Sequence, residues 1–470
     1  MENLIDLISD SIKEWLHIYK YEVSTKLIKI TLLLIFCSGV IPLGVKIIRN
    51  ILLWIETRRA QVDLFPLIEK IVVKEARQNY ILTKFQNISP GDEHEPSYAY
   101  ASTAKENMMS FFLKRAFIDD SEAHRYYLLL ADSGMGKSTF LINLFIRYQR
   151  RFFKKYKILL VPLGNPQADN EWQKIDSNQQ KNTLLFLDAF DEDPKAGLDY
   201  EERLQDILRQ TRGFRAIVLT SRTQFFPSEK EEPHRTGVYR YSLNHDTSHY
   251  FKKMYLSPFD DKDVKMYLRK KYPSWNIFNW IKRRQAKKLV KLSPNLIVRP
   301  MLLSYIDDLI VPFNVSNLKQ LKYKSIYLTS VDVYAKLIEK WIMREAYRTS
   351  LERRDKFIKD MDLFSKVVAL NIFNNRINRN GLFIYVEDLS LLASDFSISL
   401  SELELKGRSL LNRDSFGRYK FAHKSILEFL LAKHAIENMP FAEGVGYFVD
   451  FKEFDLAQKF YQEMFTQQII

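Results

Sequence analysis

A chain of 470 residues with 46% hydrophobic and 14% aromatic content has ample apolar material for a large α/β core and two or three accessory domains. Its single cysteine, Cys37, excludes an intramolecular disulfide and any cysteine metal site and fits a reducing compartment, while the 8 histidines show no metal-ligand spacing. The net charge of +14 points to anionic partners, a lipid surface or a nucleic acid.

After an N-terminal segment (1–26), residues 30–45 (ITLLLIFCSGVIPLGV) carry no charge. Leu27, Ile28, Ile47 and Ile48 extend the apolar run to the ~20 residues that cross a bilayer, and Lys29 and Lys46 can snorkel to the two interfaces. A single transmembrane helix is therefore expected over 27–48. Gly39, Pro42 and Gly44 weaken a helix less in lipid than in water, and a buried or interfacial helix is the alternative. A cleaved signal lacks its small-residue site, and Ile35 and Phe36 are too bulky for lipoprotein processing at Cys37. Lysines and arginines balance on the two flanks, so charge alone sets no orientation. Residues 49–97 read as a juxtamembrane stalk, amphipathic and basic to Phe85 and suited to anionic headgroups, closed by the polar linker Ser89–Ser97 with its Pro90, Gly91 and Pro96.

Leu128–Phe140 reads LLLADSGMGKSTF: an apolar strand, a glycine-bearing turn and the start of a helix. Ser133, Gly134 and Gly136 are small enough for backbone N–H groups to converge on phosphate oxygens at a helix N-terminus, where the dipole already favours anions. Ser133, Gly134, Met135, Gly136, Lys137, Ser138 and Thr139 are thus expected to bind ATP or ADP, with Lys137 reaching the β/γ-phosphates and the Ser138 hydroxyl ligating Mg²⁺. Ala131 stands where such loops usually have their first glycine.

Ile158–Pro162 is expected to form a further strand, and Thr183–Glu192 (TLLFLDAFDE) has the form of a buried parallel strand with an acidic tip. Asp188 is placed to hold Mg²⁺ through water, Glu192 to act as the base that polarises an attacking water, and Asp191 to support both. A third strand, Ala216–Thr220, ends in Ser221 and Arg222; Arg222 at that edge would meet the γ-phosphate charge and distinguish ATP from ADP. The nucleotide-binding domain is bounded at 98–255. Helical patterns dominate 256–314, a mixed, mainly helical part with a wing around Gly417 covers 315–440, and the tail 441–470 is a packing helix or a minimal sensor. No internal repeat is visible. Basic runs at Arg147–Lys157 and Arg269–Lys291, interleaved with Tyr272, Trp275, Phe278 and Trp280, raise nucleic-acid binding, but basic solvated faces on a membrane-tethered protein explain the same residues and are favoured.

The run Asp188-Ala189-Phe190-Asp191-Glu192, together with Thr220-Ser221-Arg222, resembles the NACHT branch of the signal-transduction ATPases with numerous domains (STAND). Residues 292–303 (LSPNLIVRPMLL) resemble the helical-domain segment of that family, and Phe421–Ala432 (FAHKSILEFLLA) its winged-helix motif. The resemblance runs from about Tyr98 to Ala432 and implies that Pro300 contacts the nucleotide base and His423 the ADP β-phosphate. From the residues alone, Pro300 starts a helix, His423 is a structural histidine, and Ile426, Phe429, Leu430 and Ala432 are helix core.

The expected fold is α/β: a P-loop NTPase parallel sheet, then helical and winged-helix domains, preceded by the transmembrane helix. The resemblance implies a slow ATPase used as a switch, closed with ADP and opening with ATP into a homo-oligomer, under a trigger or sensor partner that the sequence does not identify. The need for ATP places the large C-terminal part in the cytoplasm. Clustered N-terminal segments acting on the membrane make a bacterial antiphage or programmed-death role the expected setting. Two alternatives stay open: a nucleic-acid-sensing NTPase, and a membrane-tethered remodelling ATPase. Remodelling ATPases of the KAP type place membrane helices between their nucleotide motifs, whereas Thr139–Thr183 contains no such span.

Overall fold

The computed structural model describes residues 53–86, 106–117, 125–150, 155–226, 239–243, 247–273, 277–293, 299–310, 329–414, 416–438 and 454–469. The expected transmembrane span (27–48), the segment before it and the linker at 89–97 lie outside the described residues. Among the described residues no helix is long and apolar enough to cross a membrane.

The chain divides into two units, Met1–Lys74 and Glu75–Ile470. In the first, a helix over 53–63 buries Ala60, and Gln61 donates its side-chain amide to the Lys70 carbonyl at 2.6 Å. Helix α1 (Lys70–Gln78) begins here and ends in the second unit.

The second unit is built on one sheet. Its strands are β1 (Lys84–Gln86), β2 (Glu106–Asn107), β3 (Tyr126–Leu130), β4 (Lys157–Pro162), β5 (Thr183–Asp188), β6 (Ala216–Ser221), β7 (Tyr239–Leu243) and β8 (Thr247–Leu256). They run in the order β2-β1-β8-β3-β6-β5-β4, with β7 on β8. Strands β8, β3, β6, β5 and β4 are mutually parallel, and β1, β2 and β7 pair antiparallel. Every residue of β3, β5 and β6 is buried, as a parallel sheet covered on both faces requires, which is why these strands read as nearly continuous apolar runs with polar residues only at their ends. The strands expected at 158–162 and 216–220 are present, each one residue longer. Because β6 lies between β3 and β5 and all three point the same way, their C-terminal ends share one edge of the sheet.

One boundary differs from expectation. Residues 84–86 fall within the expected stalk, yet β1 pairs with both β2 and β8, so sheet residues begin before 98. Phe85 sets its ring 5.5 Å from Phe111, and Lys84 pairs with Asp260 and Asp263 at 2.8 Å each. Three residues are too few to show a strand period, and tertiary pairing alone defines the element.

Helix α2 (Lys137–Gln149) follows β3, and α3 (Tyr200–Gln210), capped by the Asp199 carboxylate on the Glu202 N–H at 2.9 Å, leads to β6. Beyond the sheet come α4 (Asp261–Lys271), α5 (Ile277–Leu292), α6 (Pro300–Ser304), α7 (Ser330–Ala346), α8 (Arg354–Asn375) and α9 (Val386–Asp395). The hairpin of β9 (Leu411–Arg413) and β10 (Tyr419–Phe421) then precedes α10 (Lys424–Asn438) and α11 (Asp455–Ile469). The wing expected around Gly417 is this hairpin, whose turn needs the left-handed Gly417 at φ 82°. Capping boxes open α4 (Asp260 with Asp263) and α7 (Thr329 with Asp332). In α7, Tyr334, Leu337, Ile338, Trp341 and Ile342 recur at helical spacing and are buried. The described part of the C-terminal tail is a helix whose Phe460 lies 4.8 Å from the Tyr334 ring and 5.6 Å from that of Phe429.

Candidate nucleotide site

The loop between β3 and α2 turns on two left-handed glycines, Gly134 (φ 75°) and Gly136 (φ 93°). Gly134 is constrained twice, since a Cβ there would lie 2.7 Å from Met301 Cβ, and its carbonyl accepts the Met301 N–H at 3.2 Å. Gly136 is the N-cap of α2 and brings no capping side chain, which leaves the helix N-terminus to another acceptor. Ala131 needs no glycine-like freedom. It is not among the residues at positive φ, and its N–H continues the sheet by donating to Ser221 O at 3.4 Å.

The Lys137 ammonium folds back over the loop, donating to the carbonyls of Ala131 (2.7 Å) and Asp132 (3.3 Å). Burial pulls its pKa down, and Asp191, Asp132 and Asp188 oppose that pull. Asp188, at the end of β5, accepts from the Thr220 hydroxyl at 2.6 Å and from Ser138. Burial raises this carboxyl, and those two donors counter it. The next residue, Ala189, sits at φ 61°, held there by its N–H on Thr220 Oγ1 at 2.9 Å. The Cβ of alanine makes this left-handed conformation cost ~1–2 kcal/mol, which the Thr220 bond offsets.

Asp191 is committed to Arg222: Oδ1 accepts the Arg222 N–H at 2.9 Å and Oδ2 pairs with Nε at 2.8 Å, with both residues buried. Glu192 closes the same short turn (Phe190–Glu192), pairing with Arg348 at 2.7 Å and Arg222 at 3.6 Å. Burial, then Asp191, raises the Glu192 carboxyl. Arg222 also reaches Glu345 at 3.5 Å and donates to the Gly407 carbonyl.

Of the residues expected downstream, Pro300 is the first residue of α6, so its missing N–H is harmless, and the following residue makes the contact to Gly134. His423 is buried just before α10, where its Nδ1 accepts the Ser425 N–H at 3.0 Å and lies 2.8 Å from Ser425 Oγ. Burial, with Arg299 and Lys424 nearby, pulls this ring down to about 4, so at neutral pH it is an uncharged imidazole with its proton on Nε2.

The structure therefore gathers Ser133 through Thr139, Asp188, Asp191, Glu192 and Arg222 at one sheet edge, with Pro300 beside the loop through Met301. Six residues there carry no mark in the sequence. Asp132 accepts from Arg299 (3.2 Å) and Gln224 (3.3 Å), and both donors also reach Asn412 Oδ1 at 3.2 Å. Glu345 and Arg348, at the end of α7, meet Ser133, Arg222 and Glu192. Spacing offers no clue to them, because Arg344, Glu345 and Arg348 look like an ordinary charged helix end.

The donor set fits a nucleotide phosphate with Mg²⁺. Arg299 Nη1 is a buried donor without a protein acceptor, and α2 presents an uncapped N-terminus. Ser138 and Asp188 supply one hydroxyl and one carboxylate, as Mg²⁺ takes when water and phosphate complete its shell; among the described residues no cluster of three His, Cys, Asp or Glu side chains gathers to hold a metal instead.

Fold and site together define an α/β chain with a phosphate-loop strand–turn–helix and a helical, hairpin-bearing C-terminal part. No protein-family model and no curated protein matches the chain. Among solved structures it is similar to the Thermotoga maritima RuvB Holliday junction branch migration motor, at 14% identity and a TM-score of 0.34 over 71% of this chain and 93% of that one. It is also similar to the Aeropyrum pernix Orc1 protein solved in complex with DNA, at 12% identity and a TM-score of 0.30 over 68% and 89%.

Proposed function

We propose that this chain is an ATP-hydrolysing P-loop switch of NACHT type, anchored to the membrane by residues 27–48 and acting there as a homo-oligomer in bacterial antiphage defence or programmed death. The observation that carries the ATPase part is the convergence at one sheet edge of the glycine loop with Lys137, the Ser138–Asp188 pair, the Glu192 carboxylate and Arg222. In this reading the loop N–H groups and Lys137 bind the phosphates, and Ser138 with Asp188 hold Mg²⁺, which supplies charge neutralisation when bound. Glu192 orients the attacking water, and Arg222, held by Asp191, meets the developing γ-phosphate charge.

The switch part is supported by the ties of both Glu192 and Arg222 to the α7 end: a carboxylate paired to Arg348 at 2.7 Å is not free to polarise water. A constitutive remodelling ATPase has no need of such a tie. Two variants of the full chain test the site. Lys137→Ala should abolish nucleotide binding, whereas Glu192→Gln should keep ATP bound and slow hydrolysis by about 10²–10⁴-fold. Undiminished ATP affinity in the first variant, or normal turnover in the second, would overturn the respective assignment.

A further inference from the structure

We propose that Glu345 sets the preference of this site between nucleoside diphosphate and triphosphate, by holding the loop hydroxyl and the arginine that a third phosphate would engage. The inference rests on the ATPase reading above. Glu345 stands in the last turn of α7 and is fully buried. Its Oε1 accepts from Ser133 Oγ at 3.1 Å, its Oε2 lies 3.5 Å from Arg222 Nη2, and Arg344 and Arg348 approach at 3.6 and 3.5 Å. A carboxylate so far from water is held in place by the positive charge around it and by the Ser133 hydroxyl.

Charge counting decides which acid yields. Arg222 faces Asp191, Glu192 and Glu345 together, so three carboxylates already share this one guanidinium before any ligand charge is added. A third phosphate brings further negative charge to Arg222, and one carboxylate has to withdraw. Asp191 is bound to Arg222 through two short contacts, 2.8 and 2.9 Å, within the sheet edge itself. Glu192 (3.6 Å) and Glu345 (3.5 Å) both reach the same arginine at longer range, but Glu192 belongs to the same sheet edge as Asp191, whereas Glu345 comes from a separate helix and is the partner that can withdraw. A diphosphate leaves Glu345 where it is. A triphosphate displaces it, and with it the α7 end whose Arg348 holds Glu192.

The test measures affinities of the full-length chain for ADP and ATPγS with Mg²⁺, by competition against a fluorescent ADP analogue. Glu345→Gln, which removes the charge and keeps the shape, should raise the triphosphate-to-diphosphate affinity ratio by about tenfold. Glu345→Asp, which keeps the charge but draws it back from Arg222, should move the ratio in the same direction by a smaller factor; it decides the matter if the Gln variant fails to fold. A parallel fall in both affinities, or an unchanged ratio, would show that Glu345 is only a scaffold and overturn the inference while leaving the ATPase reading intact. A wild-type chain that binds neither nucleotide would overturn both.

Discussion

The uncharged ring of His423 is set by its surroundings. With Nδ1 committed to the Ser425 N–H, the imidazole offers a neutral Nε2–H donor, so any contact with a phosphate lacks the charge assistance of an imidazolium. The same burial has a pH signature. In the unfolded chain the ring titrates near 6.5, and in the fold near 4, so the folded state binds fewer protons between those values. Stability from the neutral ring is fully present above pH 6.5 and is lost as the pH falls through 4, amounting to about 3 kcal/mol. Urea unfolding at pH 7.5 and pH 4.5 should therefore show a larger acid loss for the wild type than for His423→Gln. Identical losses would mean that the ring is not held neutral.

Between elements, the loop, the turn after β6, α6 and strand β9 meet at one buried polar knot. Arg299 Nη2 bridges Asp132 and Asn412, and Gln224 donates to Asp132, Asn412 and the Leu411 carbonyl. Removing one member of a buried ion pair costs ~3–5 kcal/mol, because the other is left uncompensated. Arg299→Met should thus destabilise the fold by about 3 kcal/mol. Asp132→Asn added to it should recover part of that loss, which a double-mutant cycle in thermal unfolding measures as coupling. Strictly additive effects would show that the pair does not join the loop to α6.

At the scale of the whole molecule, the division at Lys74 and Glu75 matters more than the polar linker at 89–97. A chain begun at Ser97 would lose β1, which joins β2 to β8, whereas one begun at Glu75 keeps the sheet complete. The full chain is expected to resist carbonate extraction from membranes, and the form beginning at Glu75 to remain in the supernatant with nucleotide binding intact. The form beginning at Ser97 should melt at a lower temperature than the form beginning at Glu75. Release of the full chain by carbonate would reduce the membrane attachment to a peripheral one, and equal melting temperatures would make β1 dispensable.

Local chemistry determined a good part of this protein. The run from Leu128 to Phe140 specifies strand, turn and helix by itself, because an apolar stretch, glycines that allow positive φ and a helix-forming segment act within a few residues. The strand that ends in Asp188 and the one that leads to Arg222 were legible for the same reason: strands buried on both faces are apolar along most of their length. What those carboxylates and arginines touch was decided by tertiary structure alone. The commitment of Asp191 to Arg222, the grip of Arg348 on Glu192, the place of Glu345 against Ser133 and the pairing of β1 all join residues far apart in the chain. A charged helix end such as Arg344–Arg348 reads as solvated until another element buries it, since ion pairing depends on distance and desolvation, and neither is a property of spacing along the chain.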